Sequence, residues 1–151
     1  QAYDVFSYVQ QALRLGAEDY LLKPVMYEQF CETMKRVLGY EYFDNPSFNS
    51  LLAYIDEHYM EELHCSECAE MFNMSQSNIL RLYKKYLNCS FTDYINDVRI
   101  HKAIEMLERG DSIKDVSGSV GYNNLNYFYR IFKKKMGVTP KEYIMSGEEN
   151  K

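Results

Sequence analysis

The chain has 151 residues, enough for one or two small domains, and 46% of them are hydrophobic, so a packed core is expected. It contains no apolar run of membrane-spanning length and does not open with a signal-peptide pattern, so no transmembrane helix is predicted. The net charge of −5 argues against a protein that attracts nucleic acid over its whole surface.

The positive charge is nevertheless concentrated in two segments. Residues 75–87 contain one arginine and two lysines, and residues 123–136 contain one arginine and three consecutive lysines. Neither segment contains an acidic residue. Because phosphate attraction depends on local patches more than on total charge, these two segments are candidates for binding nucleic acid.

The beginning of the chain follows the order helix, strand, helix. Residues 2–15 have the spacing of an amphipathic helix that Gly16 ends, residues 19–22 form a short apolar run typical of a buried strand, and residues 26–38 predict a second helix. The sequence starts at Gln1, without a methionine and inside the first helical pattern. It is therefore expected to be a fragment of a longer protein.

This order of elements resembles the last third of a response-regulator receiver domain. The resemblance is carried by Ala12-Leu13-x-Leu15-Gly16-Ala17-x-Asp19-Tyr20-Leu21-Leu22-Lys23-Pro24-Val25. It implies that Lys23 contacts the phosphoryl group of an aspartyl phosphate and that the Lys23–Pro24 peptide bond is cis, as X-Pro bonds can be. The phosphoacceptor aspartate and the magnesium-binding acids would lie upstream of Gln1. Residues 1–39 would then lack most of their sheet, and we expect them to be rearranged, swapped between chains or loosely ordered.

The rest of the chain predicts an all-α domain over residues 48–146, after a linker at residues 40–47 that is broken at Asn45-Pro46-Ser47 and before a tail at residues 147–151. Helices are predicted at residues 48–60, 65–72, 76–87, 91–109, 112–118 and 124–136, and Thr139 caps one more. Expected N-caps are Ser75, Ser90, Ser112 and Asn124, and expected helix stops are Asn88, Gly110 and Gly137.

The two basic segments occupy equivalent places in this order. Each forms a helix that follows a short helix and a turn, pairing residues 65–72 with 75–87 and residues 112–118 with 124–136. One long helix, residues 91–109, joins the pairs. The pattern therefore predicts two helix-turn-helix motifs on a shared linker helix. In the last helix Tyr127, Phe128, Ile131 and Phe132 are expected to form a buried stripe.

The second motif resembles that of the AraC-type transcription regulators. The residues that carry the resemblance are Gly121-Tyr122, Tyr127-Phe128-x-Arg130-x-Phe132-Lys133, Gly137-x-Thr139-Pro140 and Tyr143. The resemblance covers residues 48–146 and, with the receiver segment, extends to YesN-like response regulators. The chain differs from the family pattern at Tyr83 and Asn88, where Phe and Gly are usual, and at Ser117-Gly118. Since glycine in a helix costs about 1 kcal/mol, the helix before the second recognition helix is expected to be short or frayed.

The second helix of a helix-turn-helix motif enters the major groove, and two such helices would reach segments about 10 bp apart. Candidate base-reading residues are Ser77, Asn78, Arg81, Asn124, Asn126 and Arg130, since Arg suits guanine and Asn suits adenine. Leu125 and Tyr129 are candidates for contact with a thymine methyl. Candidate phosphate-binding residues are Ser75, Lys84, Lys85, Lys133 and Lys134.

Other polar residues receive structural interpretations. Arg99 in the linker helix is expected to pair with a carboxylate or with carbonyl groups, and His58, His64 and His101 are expected to be surface or capping groups. His64 precedes Cys65-x-x-Cys68, but no second ligand pair is found for zinc, so buried reduced thiols are predicted and no metal or cofactor.

The leading hypothesis is a sequence-specific transcription regulator, the effector part of a two-component response regulator in the bacterial cytoplasm. Its implied partners are double-stranded DNA, a second copy of the chain on DNA and, for the whole protein, a sensor histidine kinase. The alternative is an interaction or dimerisation module, using the aromatic-rich residues 1–46, that binds DNA weakly. An enzyme is not predicted, because no nucleophile, base and pocket set is found, and no stacking platform for single-stranded RNA is present.

Overall fold

The computed structural model describes residues 11–12, 14–17, 21, 30, 33 and 43–148. The chain divides into two compact units, Gln1–Tyr42 and Phe43–Lys151. In the first unit Gln11, Ala12 and Arg14 are helical, and Gly16 has a φ of 91°. The strand predicted at residues 19–22 lies outside the described residues except for Leu21. Lys23, Pro24 and nearly all of residues 26–38 also lie outside them, so the receiver interpretation stays a prediction.

Seven α-helices follow one another in residues 43–148, and this range contains no strand. They are α1 (Pro46–His58), α2 (Cys65–Met71), α3 (Gln76–Leu82), α4 (Phe91–Glu108), α5 (Ile113–Ser119), α6 (Leu125–Met136) and α7 (Pro140–Glu148). A π-helical turn, Tyr83–Leu87, continues α3. The all-α class and the order of the helices are confirmed. Within the described part of the chain, none of the helices is both long and apolar enough to cross a bilayer.

The helix ends coincide with short-range capping interactions. The side-chain oxygens of Ser75, Ser112 and Asn124 accept hydrogen bonds from the backbone N–H three residues later, at 3.1, 3.2 and 2.9 Å. Asn88, with a φ of 51°, ends the π-helical turn, and Gly137, with a φ of 79°, ends α6. Such local signals can be recognised in sequence because donor and acceptor are only three residues apart.

α1 begins two residues before its predicted start, inside the predicted linker. Asn45 Oδ1 accepts a 2.9 Å hydrogen bond from the Phe48 N–H, and Pro46 occupies the first helical position. Proline is favoured there because its missing N–H would have had no intrahelical partner. The proline that was expected to break the chain therefore opens the helix.

α5 has seven residues and is therefore short, as predicted, but it ends one residue later than predicted and is not frayed at Gly118. It continues through Gly118 to Ser119, and both Val116 and Ser117 are buried within it. Burial of this face compensates for the weak helical preference of glycine, since tertiary packing routinely overrides propensity.

α4 connects the two helix-turn-helix motifs. Its Phe91 and Tyr94 rings pack against Tyr83 at 5.7 and 5.4 Å, and its later turns contact α5 and α6. The predicted surface position of His101 is wrong for this reason. His101 is only 7% exposed, and its Nε2 lies 3.4 Å from Glu105 Oε1. A helix packed between two motifs leaves little surface, so position in sequence alone misplaces this histidine.

Arg99 on α4 has the structural role predicted for it. Its Nε donates to the Tyr59 carbonyl and its Nη2 to the Glu61 carbonyl, both at 2.7 Å. The guanidinium also lies over the Tyr122 ring, 5.3 Å from its centroid, and the Tyr122 hydroxyl donates to Asn96 Oδ1 at 2.8 Å. One side chain thus ties the chain after α1 to the turn before α6.

Gly121 lies against Met60, between the two residues whose carbonyls Arg99 binds. Its φ is 98°, and a Cβ built there would lie 2.7 Å from the Met60 carbonyl oxygen and 3.1 Å from Arg99 Cζ. Only glycine combines this backbone conformation with such a close approach. Arg99 and Gly121 together hold the α1–α2 connection against the turn that precedes α6.

Candidate nucleic-acid interface

The first candidate surface is the outer side of α3 and the π-helical turn. Ile79, Leu82 and Tyr83 are buried beneath it. The candidate residues Ser75, Ser77, Arg81, Lys84 and Lys85 are exposed, and Asn78 is half-buried. Leu80, which the sequence analysis did not select, is 50% exposed between them. The helix therefore presents one polar and basic strip with a single apolar side chain in it.

Two of the candidate base-reading residues on α3 are bonded to each other. Arg81 Nη2 donates to Asn78 Oδ1 at 2.8 Å. This bond orients the guanidinium and occupies one of the two lone pairs of Asn78 Oδ1, so a two-bond pairing of Asn78 with adenine would have to share that oxygen with Arg81. Arg81 keeps its other N–H groups for an acceptor such as guanine. The pair therefore favours Arg81 as the reader and Asn78 as its support.

The second candidate surface is the outer side of α6, reached from α5 through the turn at Gly121. Phe128, Ile131 and Phe132 are buried beneath it. The exposed residues are Asn124, Leu125, Asn126, Tyr127, Arg130, Lys133 and Lys134, and Tyr129 is half-buried. As on α3, the basic residues share the outward side.

The buried stripe predicted for α6 is wrong at Tyr127. This side chain is 37% exposed, and the Arg130 guanidinium lies 5.0 Å from the centre of its ring. The core-facing side of a short surface helix accommodates Phe128, Ile131 and Phe132, and Tyr127 lies at its edge. There its ring supports an arginine by a cation–π contact.

The asparagines of α6 differ in what they can bind. Asn124 Oδ1 accepts the capping bond from the Tyr127 N–H at 2.9 Å, so one of the two lone pairs of this oxygen is already used. Asn126 is exposed, and no partner for its amide is found in the described part of the chain. Asn126 is therefore the asparagine of this pair whose acceptor and donors are not engaged by a capping bond, as pairing with an adenine edge requires.

Lys135 follows Lys133 and Lys134 in the sequence, but its side chain points towards α4 and not outwards. Its Nζ forms a 2.7 Å ion pair with Asp97 Oδ1 on α4, and its side chain is only 22% exposed. The three consecutive lysines therefore divide into two outward charges and one that ties α6 to α4. Sequence spacing alone gave no signal for this long-range pair.

The cysteines do not form a metal site within residues 43–148. Cys65, Cys68 and Cys89 are free thiols, and no group of three or more His, Cys, Asp or Glu residues is placed to hold a metal ion in the described part of the chain. Burial raises the pKa of Cys89 to about 11 and also raises the pKa of Cys65 and Cys68. These thiols are protonated at neutral pH.

The chain is similar in sequence and fold to helix-turn-helix domains of response regulators. A family described as a helix-turn-helix domain matches residues 68–146. The C-terminal domain of AraT, a response regulator from Geobacillus stearothermophilus, is 32% identical with a TM-score of 0.64, covering 68% of this chain and 86% of that domain. The C-terminal domain of the two-component response regulator YesN from Fusobacterium nucleatum is 28% identical with a TM-score of 0.58, covering 63% of this chain and 94% of that domain.

A full-length relative shows the same likeness at lower identity. The transcriptional regulatory protein HptR of Staphylococcus aureus is 24% identical over 167 residues, which cover 94% of this chain and 66% of HptR. The chain thus spans about two thirds of the length of the curated relatives it matches.

Proposed function

This chain belongs to the AraC-type helix-turn-helix family, and from that membership we propose that it is the DNA-binding effector part of a two-component response regulator, reading two successive major-groove segments. The observation that carries the proposal is the presence of two similar surfaces, one on α3 with its π-helical turn and one on α6. Each has an exposed basic side free of acidic residues, and each follows a short helix and a turn. Such a helical surface satisfies both the steric and the electrostatic requirements of a major groove.

The proposed division of labour follows the exposed positions. Arg81 and Arg130 read guanine edges, Asn126 reads an adenine edge, and Ser77, Asn78 and Asn124 contribute single hydrogen bonds. Ser75, Lys84, Lys85, Lys133 and Lys134 hold phosphates, which fixes the register without specifying sequence. The supporting observations are the exposure of these side chains and the two contacts that orient the arginines, Asn78 to Arg81 and Tyr127 to Arg130.

The whole protein would carry this part behind a receiver domain, with residues 1–39 as its last third and the linker ending before Pro46, where α1 begins. Phosphorylation of the receiver by a sensor histidine kinase would then bring two copies to adjacent half-sites as a homodimer. A cytoplasmic location follows from the same proposal, because its target is the bacterial chromosome.

The phosphate contacts are tested by the salt dependence of binding to a labelled duplex of random sequence. We expect the double substitution Lys84→Ala/Lys85→Ala to reduce the slope of log K against log salt by about 0.9 for each lost contact, and Lys133→Ala/Lys134→Ala to do the same. Fluorescence anisotropy at several salt concentrations measures the slope.

The matched control is Arg109→Ala/Lys141→Ala, which removes the same charge from exposed positions outside both recognition helices. An equal loss of slope in the control would mean that total charge, rather than these two surfaces, attracts the duplex. Absence of salt-dependent binding by the unsubstituted chain would overturn the proposal.

A further inference from the structure

Phe43, the first residue of the second unit, is held in place by several hydrogen bonds. Its N–H donates to Asn49 Oδ1 at 3.1 Å, and its carbonyl accepts from Asn49 Nδ2 at 2.8 Å and from the Asn45 N–H at 2.7 Å. Asn45 in turn caps α1. The backbone at Phe43 is therefore fixed to α1 on both its donor and its acceptor side.

The ring of Phe43 packs on the end of the first recognition helix. It stacks on Tyr86 with centroids 4.5 Å apart and an interplanar angle of 24°, and it lies 5.7 Å from the Phe48 ring. Phe48 also lies 5.7 Å from Tyr86 and 5.1 Å from Tyr83. Tyr86 is thus held between a residue that precedes α1 and a residue within it.

Tyr83 and Tyr86 both belong to the π-helical turn Tyr83–Leu87. A π-helical turn is rare, and where one interrupts an α-helix it is frequently at a functional site. It persists where surrounding packing imposes it. Here the packing is the aromatic cluster of Phe43, Phe48, Tyr83 and Tyr86.

The same turn carries the two exposed lysines of the first motif. Lys84 and Lys85 are exposed, and Lys85 Nζ lies 4.9 Å from the centre of the Tyr86 ring. Conversion of the π-helical turn to an α-helix would rotate both lysines about the helix axis relative to Arg81. Their direction therefore depends on the position of Tyr86, and so on Phe43.

We propose that Phe43 is a positioning residue for DNA binding: by stacking on Tyr86 it maintains the π-helical turn that directs Lys84 and Lys85 towards the phosphate backbone. This inference rests on the proposed DNA-binding function. Phe43 directly follows Tyr42, the last residue of the first unit. A movement of the chain that withdraws Phe43 from Tyr86 would weaken the phosphate contacts of Lys84 and Lys85. The first unit would thereby have a route to DNA affinity through one aromatic side chain.

The test is a double-mutant cycle on the salt slope of duplex binding. Phe43→Ala should reduce the slope by up to about 1.8, the value for two lost phosphate contacts. In the Lys84→Ala/Lys85→Ala background the same substitution should change the slope no further. Phe43→Tyr, which keeps the ring, should restore the slope of the unsubstituted chain.

The matched control is Tyr54→Ala, since Tyr54 is a half-buried aromatic on α1 that stacks on His58 at 4.2 Å and not on the π-helical turn. It should lower the melting temperature without changing the salt slope.

Measurements well below the melting temperature of every variant separate an effect on lysine position from an effect of unfolding. A normal slope in Phe43→Ala, or equal loss with and without the lysines, would overturn the inference while leaving the proposed function intact. A chain with no salt-dependent binding before substitution would overturn both.

Discussion

Replacement of Gly121 by alanine is expected to lower the free energy of unfolding by about 3 kcal/mol. The left-handed backbone at φ 98° contributes about 1 to 2 kcal/mol for a residue with a Cβ. The new methyl group would also lie 2.7 Å from the Met60 carbonyl oxygen and 3.0 Å from its carbon, and overpacking of this kind adds about 1 to 3 kcal/mol. The obstructing atoms are backbone, so they cannot move aside by changing a rotamer. Urea unfolding followed by circular dichroism measures the loss.

Gly118 offers the matched control, three residues earlier. Gly118 lies inside α5 at an exposed position, and a Cβ built there would have no other atom within 4 Å. Gly118→Ala should therefore raise stability by up to about 1 kcal/mol through helix propensity alone. Equal stability of the two variants would show that the contact between Gly121 and Met60 does not constrain the fold.

Arg99→Met is expected to lower the free energy of unfolding by about 3 to 6 kcal/mol. Methionine keeps an apolar stem but removes two hydrogen bonds from a charged donor, each worth about 1.5 to 3 kcal/mol, and leaves the Tyr59 and Glu61 carbonyls without this donor. The contact with the Tyr122 ring is lost as well. Arg99→Lys should restore little, because an ammonium group lacks the fork that reaches two carbonyls at once.

The same urea experiment tests this substitution, with Arg109→Met as the control. Arg109 ends the same helix, is exposed and makes its bonds through its backbone N–H. Its replacement should change stability by less than about 0.5 kcal/mol. Similar midpoints for Arg99→Met and Arg109→Met would contradict the structural role of Arg99.

The helices could be predicted because their limits are local. Ser90 Oγ accepts from the Asp93 N–H at 3.0 Å, and Asp93 Oδ2 accepts from the Ser90 N–H. This capping box can be recognised in four consecutive residues of the sequence. This bonding holds the pKa of Asp93 below its usual value. Asn88 and Gly137 end their helices in the left-handed conformation expected of them.

The errors arise where distant parts of the chain meet. His101 is buried because α4 lies between two motifs, and Lys135 is withdrawn from the basic surface by Asp97, 38 residues earlier in the sequence. The π-helical turn depends on Phe43 and Phe48, which periodicity within α3 cannot reveal. Helical spacing predicted the exposure of the candidate DNA-contacting residues except Asn78 and Tyr129, which are half-buried. The Asn78–Arg81 and Tyr127–Arg130 contacts could not be predicted without side-chain positions.

Selection from a pool of randomised duplexes shows whether α3 and α6 read two major-groove segments. For the unsubstituted chain we expect a selected sequence with two short conserved blocks centred about 10 bp apart. Arg81→Ala should relax one block and Arg130→Ala the other, each by about 1 to 3 kcal/mol of discrimination. A single conserved block that both substitutions affect equally, or no conserved block at all, would contradict the reading of two segments.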